Sequence, residues 1–198
     1  MGRNKTYDRD DLIERSMEMF RDHGYAGTST QMLVDGLGVN RYSLYAEFGN
    51  KQTLFDAALE RYFDEVFEPR FGPLEEPAAG IDEIRGVFEF YASQADGAAS
   101  GRGCLLCNTA IELGPGDPGG AGFVHRYLQR LSRAFDAALT NAQTEGQLAA
   151  DVDPREEAEF FTASVLGLFV MLRATAPPAT IEHAARAAIR HLDTLRSG

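Results

Sequence analysis

Apolar residues recur at helical spacing along almost the whole chain, and this periodicity limits the fold more than any other feature. Ile13, Met17 and Phe20 share one helical face, and similar stripes return in the later segments. Glycine and proline interrupt the stripes, most densely at GPGDPGGAG over 114–122, which we interpret as a flexible linker. Paired runs of alternating residues, which would indicate a β-hairpin, are lacking. The sequence therefore predicts an all-α protein.

The N-terminal part predicts a long helix followed by a short one. The long helix covers 10–23, and Gly24 is suited to the position just past its end. Thr28 and Gln31 match the two ends of a capping box, in which the Thr28 hydroxyl accepts from the backbone of Gln31. This pattern predicts a second helix that runs to about Leu37.

A third short helix is predicted over 41–47, because Gly38 breaks the second helix and Asn40 is a favoured N-cap. The apolar residues of this segment lie on one side: Val39, Leu44 and Phe48. The other side carries polar, aromatic and small residues: Arg41, Tyr42, Ser43 and Ala46. Two short helices of this kind, braced by a longer one, form the layout of a helix-turn-helix, whose second helix enters the major groove of DNA.

The rest of the chain predicts longer helices separated by loops. A fourth helix covers 52–67 and is predicted to end at Pro69, which lacks a backbone donor. Further helices are predicted over 81–91, 104–113, 124–139, 154–172 and 180–196. The helices at 123–139 and 157–172 carry more apolar surface than one domain would cover, so we predict that they form a dimer interface.

Size and composition are those of a soluble globular protein. The chain has 198 residues, of which 44% are hydrophobic and 25% are charged. Its longest apolar run, 163–172, is shorter than the roughly 18 residues that a membrane span requires. The N-terminus lacks the apolar segment of a secretory signal. We therefore expect a cytoplasmic protein with no membrane partner.

The net charge of −11 is distributed unevenly. Residues 1–51 contain seven Lys or Arg and eight Asp or Glu, so their net charge is only −1. The remaining residues carry almost all of the acidity, which disfavours non-specific binding to nucleic acid but permits a local DNA-binding face. Arg3 and Lys5 either form a basic arm or are simply solvated.

The segment GYAGTSTQMLVDGLGVNRYSLYAEFGNKQTLFDAAL, Gly24 to Leu59, resembles the N-terminal domain of TetR-type transcriptional regulators. The matching motif consists of Thr28, Gly38-Val39, Leu44-Tyr45, Phe48 and Lys51. The resemblance implies an all-helical homodimer whose N-terminal helix-turn-helix, residues 1–51, binds double-stranded operator DNA. It implies that residues 52–198 form a helical domain for effector binding and dimerisation. It also implies no catalysis and no cofactor.

Carried over position by position, the resemblance implies a set of DNA contacts. The contacts at the start of the second helix are Thr28 and Gln31. The base-facing residues of the third helix are Arg41, Tyr42 and Ser43, and the phosphate contacts are Tyr45 and Lys51. Tyr42 departs from the family, which usually has a small residue there. A bulky side chain at this position predicts an altered half-site preference.

By the same resemblance, the later helices surround a cavity for a small apolar or electrophilic effector. The residues predicted to line it are Phe63, Phe67, Phe88, Tyr91, Cys104, Cys107, Tyr127 and Phe169. These features predict a ligand-responsive homodimeric repressor that the effector releases from a palindromic operator. The alternative is a cysteine-dependent redox protein or enzyme in which the N-terminal motif is inert.

Cys104 and Cys107 are the only cysteines, and two cysteines three residues apart on a helix cannot form a disulfide framework, which favours a reducing compartment. A helix beginning at Cys104 places its positive end and Arg102 beside the thiol, which favours a reactive redox sensor. Packing of a small apolar side chain is the competing interpretation. A metal site is not expected, because there is one C-x-x-C pair and the four histidines are scattered.

Overall fold

The computed structural model describes residues 7–97, 99–113 and 121–197. The predicted basic arm of Arg3 and Lys5, and most of the predicted linker at 114–122, lie outside these residues. Regular structure in the described part is helical, and the one β-type bridge there, between Leu148 and Arg196, is isolated. The predicted all-α fold is confirmed.

The described residues form helices connected by short turns and loops. The α-helices are α1 (Arg9–Gly27), α2 (Thr30–Leu37), α3 (Arg41–Phe48), α4 (Lys51–Tyr62), α5 (Glu68–Phe71), α6 (Ile81–Ser93), α7 (Leu105–Glu112), α8 (Ala121–Thr144), α9 (Pro154–Arg173) and α10 (Pro178–Thr194). A π-helical turn, Phe63–Phe67, joins α4 to α5, and a 3-10 turn, Gly72–Glu75, follows α5. Of the helices described here, none combines the length and apolar character needed to cross a bilayer.

Side-chain caps fix the N-termini of the short helices. The Ser29 hydroxyl accepts a hydrogen bond from the backbone N–H of Met32 at 3.1 Å and caps α2. The Asn40 side chain caps α3, as predicted, by accepting from the N–H of Ser43 at 2.8 Å. Asn50 caps α4 in the same way. Each cap is worth about 1 kcal/mol, which matters for short helices that are marginal alone.

The prediction that Thr28 opens α2 is wrong, because its hydroxyl turns inward. Thr28 is fully buried, and its hydroxyl donates to the carbonyl oxygen of Gly24 at 2.6 Å. This bond closes a kink in α1, where Gly24 has non-helical angles of φ 75° and ψ 174°. Gly24 thus ends the straight part of α1, as predicted, and one further turn reaches Gly27. The N-cap of α2 is therefore the next residue, Ser29.

The helix that begins with α4 does not end at Pro69, which corrects that prediction. The π-helical turn Phe63–Phe67 carries the chain into α5, and Pro69 lies in the first turn of α5. A proline costs little at that position, since the first turn of a helix needs no internal donor. The chain therefore stays helical as far as Glu75.

The core of the helical domain lies between α6, α8, α9 and α10. Phe88, Phe135 and Phe161 meet there with ring centroids 5.6 to 6.4 Å apart, and all three are fully buried. Burying a side chain of this size is worth roughly 1.5–3 kcal/mol. α8 packs along α9, and α6 packs along α10, so the four helices enclose one continuous apolar centre.

The apolar side of α8 packs against other helices of the same chain. Its buried apolar residues are Tyr127, Leu131, Ala134, Phe135, Ala138, Leu139 and Ala142. The exposed side of the helix is polar and includes Gln129 and Arg133. The prediction of excess apolar surface at 123–139 is therefore wrong, because the α6–α9–α10 core covers it. On α9, by contrast, Phe160 and Val170 remain 43% and 47% exposed.

Candidate nucleic-acid interface and helical-domain cavity

α3 presents a polar and aromatic face to solvent above a buried underside. Leu44 and Phe48 are only 1% and 4% exposed and anchor the helix in the core. Arg41 is exposed, and Tyr42 is 84% exposed. A phenol ring with so much exposed surface contributes little to packing within the chain. The structure thus divides α3 into the two sides that the sequence predicted.

The outward side of α3 forms one shallow depression, lined by Arg41, Tyr42, Tyr45 and Ala46. The Arg41 guanidinium lies 5.7 Å from the centre of the Tyr45 ring, a cation–π contact that keeps it beside the helix. No carboxylate within the described ranges forms an ion pair with Arg41, so its charge is available to a partner. An arginine held in this way can donate to a guanine edge or to phosphate oxygens.

The Tyr45 hydroxyl connects α3 to the start of α2. It lies 2.7 Å from the Thr30 hydroxyl, so the two helices are joined at a partly buried edge. Gln31, the next residue, is exposed, and its amide donates to Asp35 at 2.8 Å. Thr28 is fully buried and has no surface for a partner outside the chain, which corrects its predicted role as a DNA contact. At the start of α2, Thr30 and Gln31 lie closer to the surface than Thr28 does.

Ser43 and Lys51 are less exposed than the resemblance implies. Ser43 is half-buried, and its carbonyl oxygen accepts a 3.5 Å hydrogen bond from the Tyr7 hydroxyl. The Lys51 ammonium lies 4.2 Å from the centre of the Tyr25 ring. Burial lowers the pKa of Lys51, against the opposing attraction of Glu112. Lys51 is therefore held between α1 and α7 at the start of α4.

A cavity in the helical domain extends inward from the side of α1. Its outer part, the outer cavity, has a volume of about 240 Å³, and its wall includes Arg21, Arg70, Phe90, Gln94 and Leu172. Its inner part, the inner cavity, has a volume of about 10 Å³ and reaches Cys104. The two parts share Tyr62, Val66, Tyr91 and Phe169 as lining residues. The inner cavity has room for a water-sized group only.

Five of the predicted cavity residues line the inner cavity: Phe67, Tyr91, Cys104, Tyr127 and Phe169. Phe63, Phe88 and Cys107 line neither part, which corrects the prediction for these three. Phe88 packs in the core against Phe161, and Phe63 stacks on Phe67 at 4.6 Å. Cys107 is enclosed, and burial raises the pKa of its thiol to about 12. A thiol with so high a pKa is unreactive at neutral pH.

Cys104 lies at the end of the inner cavity and is 5% exposed. Its sulfur lies 3.8 Å from the Tyr127 hydroxyl. The predicted influence of Arg102 on this thiol is not supported, because the Arg102 guanidinium pairs with Glu18 and Asp22 of α1 instead. With the thiol enclosed and that cation engaged elsewhere, the geometry favours a packing role for Cys104.

The end of α1 is tied to the helical domain by three charged side chains. Arg102 forms the two ion pairs just described, and Arg173 of α9 donates to the carbonyl oxygen of Arg21 at 3.3 Å. Glu112 of α7 accepts hydrogen bonds from the N–H groups of Ala26 and, at 2.9 Å, Tyr25. These contacts join residues as far as 152 positions apart, so no local sequence pattern could have indicated them.

Two arginines of the outer cavity, Arg21 and Arg70, were also missed by sequence reasoning. Each lies on a helix where an arginine is normally solvated, so neither breaks a pattern. Within the described residues no group of three or more His, Cys, Asp or Glu side chains is placed to hold a metal ion.

Two family models match the chain. The model of bacterial regulatory proteins of the tetR family matches residues 12–58, which contain α2 and α3 and most of α1 and α4. The model of the tetracyclin repressor-like C-terminal domain matches residues 80–188, more than half of the chain.

Related sequences and solved structures agree with these models. YezE, an uncharacterized HTH-type transcriptional regulator of Bacillus subtilis, is 33% identical over 177 residues, which cover 89% of this chain and 91% of YezE. The HTH-type transcriptional repressor ComR of Escherichia coli is 30% identical over 178 residues, 87% of this chain and 82% of ComR. A cysteine mutant of the TetR family regulator CifR, complexed with 26-bp double-strand operator DNA, superposes with a TM-score of 0.85 at 26% identity, covering 96% of this chain and 98% of that one.

Proposed function

This chain belongs to the TetR family of DNA-binding transcriptional repressors, and on that premise we propose that it is a ligand-responsive homodimer that binds a palindromic operator. As a member of this family it is a regulator and not an enzyme, so the alternative of a cysteine-dependent enzyme is discarded. The exposed face of α3 gives the proposal its most direct support, because Arg41 and Tyr42 stand clear of the protein above a buried anchor.

The proposed DNA contacts divide between bases and phosphates. Base edges are assigned to Arg41, Tyr42 and Ser43, with Arg41 and Tyr42 as the principal pair because they are the most exposed. Phosphates are assigned to Thr30, Gln31 and Tyr45, which meet at the N-terminus of α2, where free N–H groups favour an anion. Lys51 is a further phosphate contact once it swings away from the Tyr25 ring.

The proposed dimer interface lies on α9 and α10 rather than on α8. Phe160, Ala163, Gly167 and Val170 recur at helical spacing on the outer side of α9, and we call them the α9 stripe. The Phe160 ring lies 4.4 Å from the His191 ring of α10, so the stripe borders that helix. Apposition of two such faces about a two-fold axis would cover the exposed apolar residues of both copies.

A dimer of this kind predicts the form of the operator. Its two copies of α3 would enter successive major grooves, with half-sites about 34–36 Å apart or a multiple of that distance. Each copy would meet the same sequence in opposite orientation, so the operator would have two-fold symmetry.

The cavity is the proposed effector site. Its aromatic walls favour an apolar body, and Arg21 of α1 forms part of its lining. An effector there would contact the same helix that supports α2 and α3, and α7 would hold the kink of that helix through Glu112. If α1 takes one position when the protein is bound to DNA and a different position when it is free, a ligand that binds one of these positions more tightly would change the affinity for DNA.

Titration of labelled DNA tests the DNA-binding part of the proposal. Wild-type protein should bind the DNA upstream of its own gene, with an affinity that falls linearly as log salt rises. Arg41→Ala should weaken binding by about tenfold to a hundredfold, because it removes one base contact from each half-site. Arg133→Ala is the matched control, since Arg133 is exposed on α8 and donates only to its own helix at Gln129. Equally weak binding by all three proteins, on this DNA and on genomic fragments from a selection, would contradict the proposal.

Cys104→Ser tests whether the effector is a reactive electrophile. Because the thiol is enclosed at the end of the inner cavity, we expect peroxide to leave operator binding by the wild-type protein unchanged. The variant should bind the operator with the same affinity, within about threefold, as measured by the same titration. Cys107→Ser is the control for the second thiol. Release of the wild-type protein by peroxide, with no release of Cys104→Ser, would identify an electrophile sensor instead.

A further inference from the structure

Arg21 lacks a close acceptor for its guanidinium. The group lies over the Tyr62 ring, 5.6 Å from its centre, and its Nε is buried with no hydrogen-bond partner in the described part of the chain. Its ion-pair partner, the Glu18 carboxylate, is 4.0 Å away, and Glu18 is already paired with Arg102. A buried donor without a partner is unfavourable, so the site is suited to an acceptor that arrives from the cavity.

Arg70 faces the same cavity from α5. Its guanidinium is stacked on the Phe90 ring at 3.2 Å, and it has no ion pair with any residue that the structure describes. Burial raises the pKa of the Tyr91 hydroxyl, while the positive charges of Arg70 and Arg21 oppose that rise. Both guanidinium groups thus line the outer cavity, whose wall also includes Tyr91.

The described lining of the outer cavity holds more positive than negative charge. Its one acidic residue, Glu65, is paired with Arg61 at 2.8 Å. This imbalance occurs in a chain whose net charge is −11. Apart from the neutral Gln94, the remaining lining is mainly apolar and aromatic and includes Phe90, Phe169 and Leu172. Its volume of about 240 Å³ lies below the roughly 300–1,000 Å³ of sites for drug-sized ligands, so the ligand is small.

We propose that the effector is a small organic carboxylate, held by Arg21 and Arg70, whose apolar body lies against the aromatic wall of the outer cavity. A carboxylate accepts two parallel hydrogen bonds from a guanidinium and would satisfy the buried Nε donor. The inference rests on the ligand-responsive function proposed above and specifies its ligand class. Because Arg21 belongs to α1, the carboxylate would act directly on the helix that supports the DNA-binding face.

Calorimetric titration of the full-length protein, without DNA, tests the ligand class. The probes are phenylacetate and cinnamate, each compared with its neutral amide, which has nearly the same shape. We expect both acids to bind, and the amides to bind at least tenfold more weakly. Arg21→Gln and Arg70→Gln should each weaken binding of the acids by about tenfold, since each removes a charge-assisted contact. Arg21→Lys should retain part of the affinity, and Arg133→Gln, which lies outside this cavity, should retain all of it.

Three results would overturn the inference: amides that bind as tightly as the acids, no binding of any of the four probes at millimolar concentration, or full affinity in both glutamine variants. Thermal unfolding of each variant shows that a loss of binding is not a loss of fold. The operator titration is independent of this experiment. If wild-type protein binds its operator and a neutral molecule releases it, the proposed function is supported and the proposal of a carboxylate effector is contradicted.

Discussion

Gly167→Glu is expected to convert the proposed dimer into a monomer and to weaken operator binding by about a hundredfold or more, because the two half-sites are then no longer bound together. Gly167 lies in the middle of the α9 stripe, and a Cβ placed there meets no atom within 4 Å in the single chain. Each monomer should therefore fold normally, and replacing a helical glycine should even favour the helix. In the dimer, two carboxylates would be buried close to the two-fold axis without partners, which is strongly unfavourable.

Sedimentation equilibrium and operator titration measure the two effects separately. Gly86→Glu on α6 is the matched control, because that glycine is also helical and a Cβ there also meets no atom within 4 Å. It adds the same charge away from the α9 stripe and should leave the dimer intact. A Gly167→Glu protein that sediments as a dimer at the wild-type concentration would place the interface elsewhere.

The short helices of the DNA-binding part were predictable because their determinants are local. Asn40 caps α3 through a residue three positions away, and Leu44 and Phe48 are buried on the side that helical spacing indicates. The exposed Arg41 and Tyr42 follow from the same spacing. A helix only eight residues long leaves few alternatives once its cap and its anchors are known.

The cavity was predictable only in part, because helical spacing separates buried from exposed residues but not core from cavity. Phe88 and Tyr91 lie three residues apart on one face of α6, yet Phe88 packs against Phe161 while Tyr91 lines the cavity. The choice between Thr28 and Ser29 as the cap of α2 depended on the kink at Gly24, which offers Thr28 an inward acceptor. The first outcome depends on packing between helices distant in sequence, and the second depends on the backbone conformation four residues before Thr28.

Contacts between the two domains were not predictable, since they join residues distant in sequence. Glu112 and Tyr25 are 87 positions apart, and each is unremarkable within its own helix. Their contact nevertheless decides how the kink of α1 is held against α7. Because α1 supports α2 and α3, this contact lies between the cavity and the DNA-binding face.

Gly24→Ala is expected to lower the free energy of unfolding by about 1–3 kcal/mol and to weaken operator binding. The backbone conformation and the neighbouring Glu112 carboxylate both exclude a side chain at this position. Its φ of 75° with ψ of 174° is a conformation essentially restricted to glycine. A Cβ there would also lie 2.7 Å from the Glu112 carboxylate oxygen, so the carboxylate would be displaced from the N–H groups of Tyr25 and Ala26. Gly27→Ala is the control, since its Cβ meets only an ordinary contact at 3.7 Å.

A double-mutant cycle with Glu112→Ala separates the backbone strain at Gly24 from the steric conflict with the Glu112 carboxylate. Removing the carboxylate abolishes the steric conflict but leaves the backbone strain, so the effects of Gly24→Ala and Glu112→Ala should sum to more than the effect of the double variant. Urea denaturation at one fixed protein concentration measures the unfolding term, because a dimer's stability depends on concentration. Effects that add within about 0.5 kcal/mol would show that Glu112 does not hold the kink. A coupling seen in both unfolding and operator affinity would mean that α7 sets the position of the DNA-binding face through this one carboxylate.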